Sequence, residues 1–125
     1  MIRPCAFHTW YIMKETLFFF FFMEGSYMKE SDFQKKLIDN INKLFPECVI
    51  LKNDARYKQG IPDLIILNKN RWAILECKKR KKSHYQPNQN YYLDKLNNMS
   101  YASMICPENE KEVMDELYKS LEPER

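Results

Sequence analysis

Residues 60–79, GIPDLIILNKNRWAILECKK, constrain the fold more than any other part of the chain. PDLIIL and RWAILECK are too short for helices and rich in β-formers, while NKN between them supplies turn residues. Together they predict two strands joined by a tight hairpin. With Lys69 and Asn70 at the centre of a two-residue turn, Asn68 pairs with Arg71, and counting outward sets Asp63 opposite Glu76. Directly opposed residues share a face, with Cβ atoms about 4.5–5.5 Å apart. The period of two adds Lys78 to that face, with Ile65, Leu67, Trp72 and Ile74 nearer the turn. A slip of one residue would send Glu76 to the other side.

Charge at the end of such an apolar pair needs a reason. Two carboxylates at that separation repel unless something positive lies between them. A hard divalent cation meets the requirement: Mg²⁺, with Mn²⁺ as a substitute, takes oxygen ligands and keeps waters that a phosphate can replace. Asp63 and Glu76 are then the expected ligands, with the backbone carbonyl of Cys77 as a further oxygen. Lys78 would orient or activate the attacking water, or stabilise charge developing on the phosphate. The plainer account makes Asp63 a turn residue after Pro62 and Glu76–Lys78 a surface ion pair. It is weakened because these charges close a strongly apolar strand.

The elements around the hairpin follow from periodicity. Phe33, Leu37, Ile41 and Leu44 recur at spacings of three and four, predicting an amphipathic helix over 30–45 that Pro46 stops. CVILKN reads as a strand before the hairpin and YASMIC as one after it. Between the hairpin and YASMIC, Gln86 to Met99 reads as a helix with Pro87 in its first turn and Tyr92, Leu93 and Leu96 on one stripe. PENEKEVMDELYKSL closes the chain as a helix opened by proline and acids. The order αβββαβα implies an antiparallel meander of three strands and a fourth joined in parallel through a crossover helix. The expected class is α/β, a mixed four-stranded sheet flanked by helices.

The 125 residues, 45% apolar and 30% charged with two glycines, suit one compact domain, expected over 28–125. Residues 1–27 differ: they have neither helical nor strand period, and the apolar run LFFFFFM is far short of the roughly 20 residues that span a bilayer. Arg3 is a meagre basic region and no small-residue cleavage site follows, which argues against a signal peptide. The segment is expected to be an extension, with translation starting at Met28. Four scattered cysteines without a Cys-x-x-Cys pair signal neither zinc site nor disulfide framework, and fit a reducing cytoplasm. The net charge of +3 matters less than its distribution, since Lys78–Lys82 reads KKRKK.

GIPDLIIL followed by AILECKK resembles the PD-(D/E)XK nuclease superfamily, with Pro62-Asp63 as the PD and Glu76-Cys77-Lys78 as the (D/E)XK. The element order is similar to that superfamily's restriction-endonuclease-like core. The closer similarity is to small phage and bacterial members of the VRR-NUC and Holliday-junction-resolvase type, over about residues 28–121. The resemblance implies a Mg²⁺-dependent DNA endonuclease using Asp63, Glu76 and Lys78. It adds Glu30 of the first helix as a catalytic and metal-approaching acid, and a glutamine of the second helix, either Gln89 or Gln86. In that context Lys79, Arg80, Lys81 and Lys82 are expected to hold phosphates beside the cut, with His84 and Tyr85 contributing. Arg56 and Lys58, flanking Tyr57, are a second expected DNA contact. The implied partner is branched DNA, four-way junctions included, bound by a homodimer. The alternatives are a VRR-NUC-type nicking or flap nuclease, and a non-catalytic nucleic-acid-binding module on the same fold.

Overall fold

The structure, a computed structural model, describes residues 28–54, 56–85 and 87–122. The expectations for residues 1–27, and for Gln86, fall outside them. The chain divides into two compact units, Met1–Pro46 and Glu47–Arg125.

The described part of the first unit is helix α1, Glu30–Leu44. Glu30 and Asp32 sit in its first turn and Lys43 in its last, each sign matched to the helix dipole. Phe33, Leu37, Ile41 and Leu44 are buried, as their spacing requires. The Phe45 N–H closes the last turn on the Ile41 carbonyl before Pro46.

The second unit carries the sheet: β1 (Val49–Lys52), β2 (Leu64–Asn68), β3 (Arg71–Cys77) and β4 (Tyr101–Ile105), hydrogen-bonded in that order. β1–β2 and β2–β3 are antiparallel and β3–β4 is parallel, the mixed topology expected of a meander followed by a crossover. Leu64 pairs with Leu75 and Asn68 with Arg71, the expected hairpin register. Lys69 takes the left-handed conformation at φ 59° that a tight hairpin turn demands.

Helix α2 (Gln89–Met99) is the crossover and α3 (Glu110–Leu121) closes the unit. The pleat sends Ile65, Trp72 and Ile74 to one face of the sheet. There Ile74, Leu93 and Ala102 form a buried cluster against Ile61, Leu96 and Met104, so α2 covers this face. The opposite face carries Leu64, Ile66, Ala73, Leu75 and Cys77, all fully buried. Helix α3 lies against β3 and β4 and brings Val113, Met114, Leu117 and Leu121 into the core. Asn68 Nδ2, from that same face, donates to the Leu121 carbonyl at 3.2 Å and ties the hairpin end to α3.

Helix α2 starts three residues later than its periodicity suggests. Asn88 adopts φ 71°, outside helical space, so the first helical bond runs from the Tyr92 N–H to the Asn88 carbonyl and Pro87 stays outside the helix. Among the described residues no helix is long and apolar enough to cross a membrane.

Candidate functional site

Four side chains from three segments of the second unit meet at the open end of the hairpin. Asp63 comes from the bend before β2, Glu76 from the end of β3, Lys78 from just beyond it, and Gln89 from the first residue of α2. Glu76, Lys78 and Gln89 are 3%, 7% and 7% exposed, unusual burial for two charged groups and an amide.

Their contacts explain how the burial is tolerated. Gln89 Nε2 donates to Glu76 Oε2 at 2.9 Å, and Lys78 Nζ lies 3.5 Å from the same oxygen. Lys78 Nζ also donates to the His84 carbonyl at 3.1 Å and stands 5.4 Å from the centroid of the Tyr85 ring. The ammonium is therefore held by a carboxylate, a carbonyl and an aromatic face. Burial and the negative charge of Glu76 push the Tyr85 phenol up from its ordinary range.

Asp63 differs in detail from expectation. Ladder pairing stops at Leu64–Leu75, so Asp63 is not a ladder partner of Glu76. Its Oδ2 instead accepts the Cys77 N–H at 3.1 Å, while its own carbonyl accepts the Asn53 N–H at 2.8 Å. The carboxylate is thus anchored to the end of β3 by a side-chain-to-backbone bond, within electrostatic reach of Lys78. Burial raises the Asp63 carboxyl above its ordinary value, opposed by the Cys77 N–H and by the charges of Lys78 and Lys52. A neighbouring cation would favour the ionised form further.

Gly60 organises the approach to this site. It has φ +93°, and a Cβ there would lie 2.7 Å from Asn88 Cβ and 2.9 Å from both the Asn88 carbonyl carbon and the Pro87 oxygen. Only a residue without a side chain lets the segment leading to Asp63 press against the segment leading to Gln89. The signal is present in the sequence, since Gly60 is one of two glycines and stands three residues before Asp63.

The expected DNA contacts are on the surface. Lys79, Arg80, Lys81 and Lys82 are exposed, in a loop braced by Arg80–Ser83 bonds and by the Lys81 N–H donating to Glu108. Arg56 is exposed but forks onto Asp54, with Nε 3.1 Å from Oδ1 and Nη2 3.0 Å from Oδ2. This pairing holds the Asp54 carboxyl below its usual range. Lys58 Nζ stands 5.8 Å from the Tyr92 ring centroid, linking the 56–58 loop to α2. Glu30 belongs to the first unit, where it is exposed in the opening turn of α1.

Two carboxylates, a lysine and an amide can bind a hard cation only with help from water, substrate or backbone oxygen. Among the described residues no group of three or more histidine, cysteine, aspartate or glutamate side chains could hold a metal ion. That count is compatible with Mg²⁺, which commonly uses one or two carboxylates and completes its shell with water and phosphate oxygens. No family model, curated protein or solved structure matches the chain.

Proposed function

We propose that the protein is a Mg²⁺-dependent DNA endonuclease with a restriction-endonuclease-like core, selective for branched DNA. The observation that carries this reading is the convergence of Asp63, Glu76, Lys78 and Gln89 at one end of the hairpin, with an exposed basic loop leaving directly from Lys78.

Asp63 and Glu76 are the side chains that would hold the cation, and the oxygen-rich, partly desolvated donor set fits a hard ion. The bound ion would supply charge neutralisation at the phosphate and a more acidic water. Lys78 brings an ammonium that can hydrogen-bond the attacking water or the developing charge on the phosphate. Gln89 fixes the Glu76 carboxylate through its amide N–H, so the acid is presented in one orientation. The Glu76 carboxylate, the His84 carbonyl and the Tyr85 ring hold the lysine in place beside the carboxylates. Lys79 to Lys82 take phosphates without reading bases, so selectivity falls to DNA shape and to pairing of two sites in a homodimer.

The direct test is cleavage of branched, linear duplex and supercoiled DNA by the purified protein with Mg²⁺ and with EDTA. Mg²⁺-dependent hydrolysis that Glu76→Ala abolishes is the expected result. Cleavage that persists in purified Glu76→Ala would overturn the assignment.

A further inference from the structure

Several tyrosines around the candidate site face water in a way the core does not require. Tyr57 is 91% exposed, Tyr91 58% and Tyr85 37%. They are interleaved with cations. Tyr57 stands between Arg56 and Lys58, and Lys58 Nζ reaches the Tyr92 ring. Tyr91 packs edge-on against Tyr92, with centroids 5.0 Å apart and planes at 75°, while Lys95 Nζ lies 5.8 Å from the Tyr91 centroid. Tyr91 and Tyr92 follow Gln89 in α2 and Tyr85 stands against Lys78, so these three rings lie on segments that carry site residues, and the Tyr57 loop joins them through Lys58 at the Tyr92 ring.

Exposed aromatic faces set among lysines suit a polyanion that also offers flat apolar surfaces. An unpaired DNA strand has both features. Its phosphates are taken by the cations and its bases stack on the rings, whatever their identity. In an intact duplex the base faces are already occupied by neighbouring bases, so the same rings would find nothing to stack on. A protein partner could also use exposed tyrosines, but the density of cations favours nucleic acid.

We propose that Tyr91 and Tyr57 form a stacking platform for unpaired nucleobases beside the candidate site. The DNA acted on there carries a single-stranded segment, as in a flap or splayed fork. This rests on the nuclease reading for the cutting step, while the platform itself is a binding property.

The test separates the two. With EDTA present, anisotropy titrations of the full chain compare a labelled oligothymidylate with a blunt duplex of equal phosphate count. Tyr91→Ala and Tyr57→Ala should each weaken oligothymidylate binding about 5- to 150-fold. Duplex binding should be little altered, and the salt dependence unchanged because the phosphate contacts remain. Tyr91→Phe, which retains the ring, should bind as the unaltered protein does. Equal losses on both DNAs, or no loss on either, overturn the platform. A second arm with Mg²⁺ measures cleavage of fork and duplex. Cleavage with no tyrosine-dependent preference for the fork overturns the single-stranded character of the DNA cut there, whereas ring-dependent binding without cleavage of any DNA supports the platform and sinks the nuclease reading.

Discussion

Gly60→Ala tests whether the site is assembled by the close approach of two loops. The new methyl would collide with Asn88 Cβ at 2.7 Å and with the Asn88 carbonyl carbon and Pro87 oxygen at 2.9 Å. None of these atoms can rotate away, because two are backbone and the third is fixed to it. Such overpacking costs about 1–3 kcal/mol. Placing an L-residue at φ +93° adds backbone strain of about 1–3 kcal/mol. The sum, about 2–6 kcal/mol, is a large part of the roughly 5–15 kcal/mol that holds a domain of this kind together. In urea, with a slope of about 1–3 kcal/mol per molar, the unfolding midpoint should drop by about 1 M or more. Gly60→Asn separates the two costs, since asparagine tolerates positive φ better but carries the same Cβ. Cleavage assayed where circular dichroism reports the variant folded should also fall, because relief of the collision moves Asp63 and Gln89 apart. An unchanged urea midpoint for Gly60→Ala would show that the two loops do not meet as described.

The other predictions concern the charged groups. Asp63→Ala, Glu76→Ala and Lys78→Ala should each lower the cleavage rate by about 10²–10³ or more; titration calorimetry should show weaker Mg²⁺ binding for the two acid variants and not for Lys78→Ala. Gln89→Leu removes a buried donor from Glu76 and should cost about 1–3 kcal/mol in urea unfolding, since the carboxylate loses a buried hydrogen bond. Asp63 has a folded-state pKa raised by burial, so its contribution to stability is greatest below the ordinary aspartate range and is lost as pH rises through the folded value. In EDTA, Asp63→Asn should therefore unfold at higher urea than the unaltered protein at neutral pH. The difference should shrink on acidification, and a gap that does not respond to pH would refute the account.

What the sequence disclosed depended on whether a residue's role was periodic. The hairpin register was legible because strand alternation and a two-residue turn leave one arrangement that buries Leu64, Ile66 and Leu75 together. Helix α1 and the parallel fourth strand were legible for similar reasons. Gln86 and Gln89 were equally plausible from sequence; in the structure Gln89, the first residue of α2 after the non-helical Asn88, donates to Glu76. The clasp on Lys78 was not legible in the same way. A backbone carbonyl such as that of His84 has no residue signature, and the 79–88 segment has no period from which its path could be drawn. Asp63's bond to the Cys77 N–H was hidden for the same reason, since it begins where the ladder ends.

The loop between Lys78 and Tyr85 closes upon its own first residue, through the His84 carbonyl and the Tyr85 ring. Such a closed loop lets two properties be adjusted independently. On the proposed function, changes among residues 79–82 would alter how tightly DNA is held, whereas the ammonium of Lys78 would stay where the loop's two ends fix it. Variants of this protein could thus acquire new affinities, salt tolerances or preferred partners by point changes in the basic run without rebuilding the centre beside it. The reverse does not hold, because a change at Tyr85 that opens the loop would disturb both properties at once.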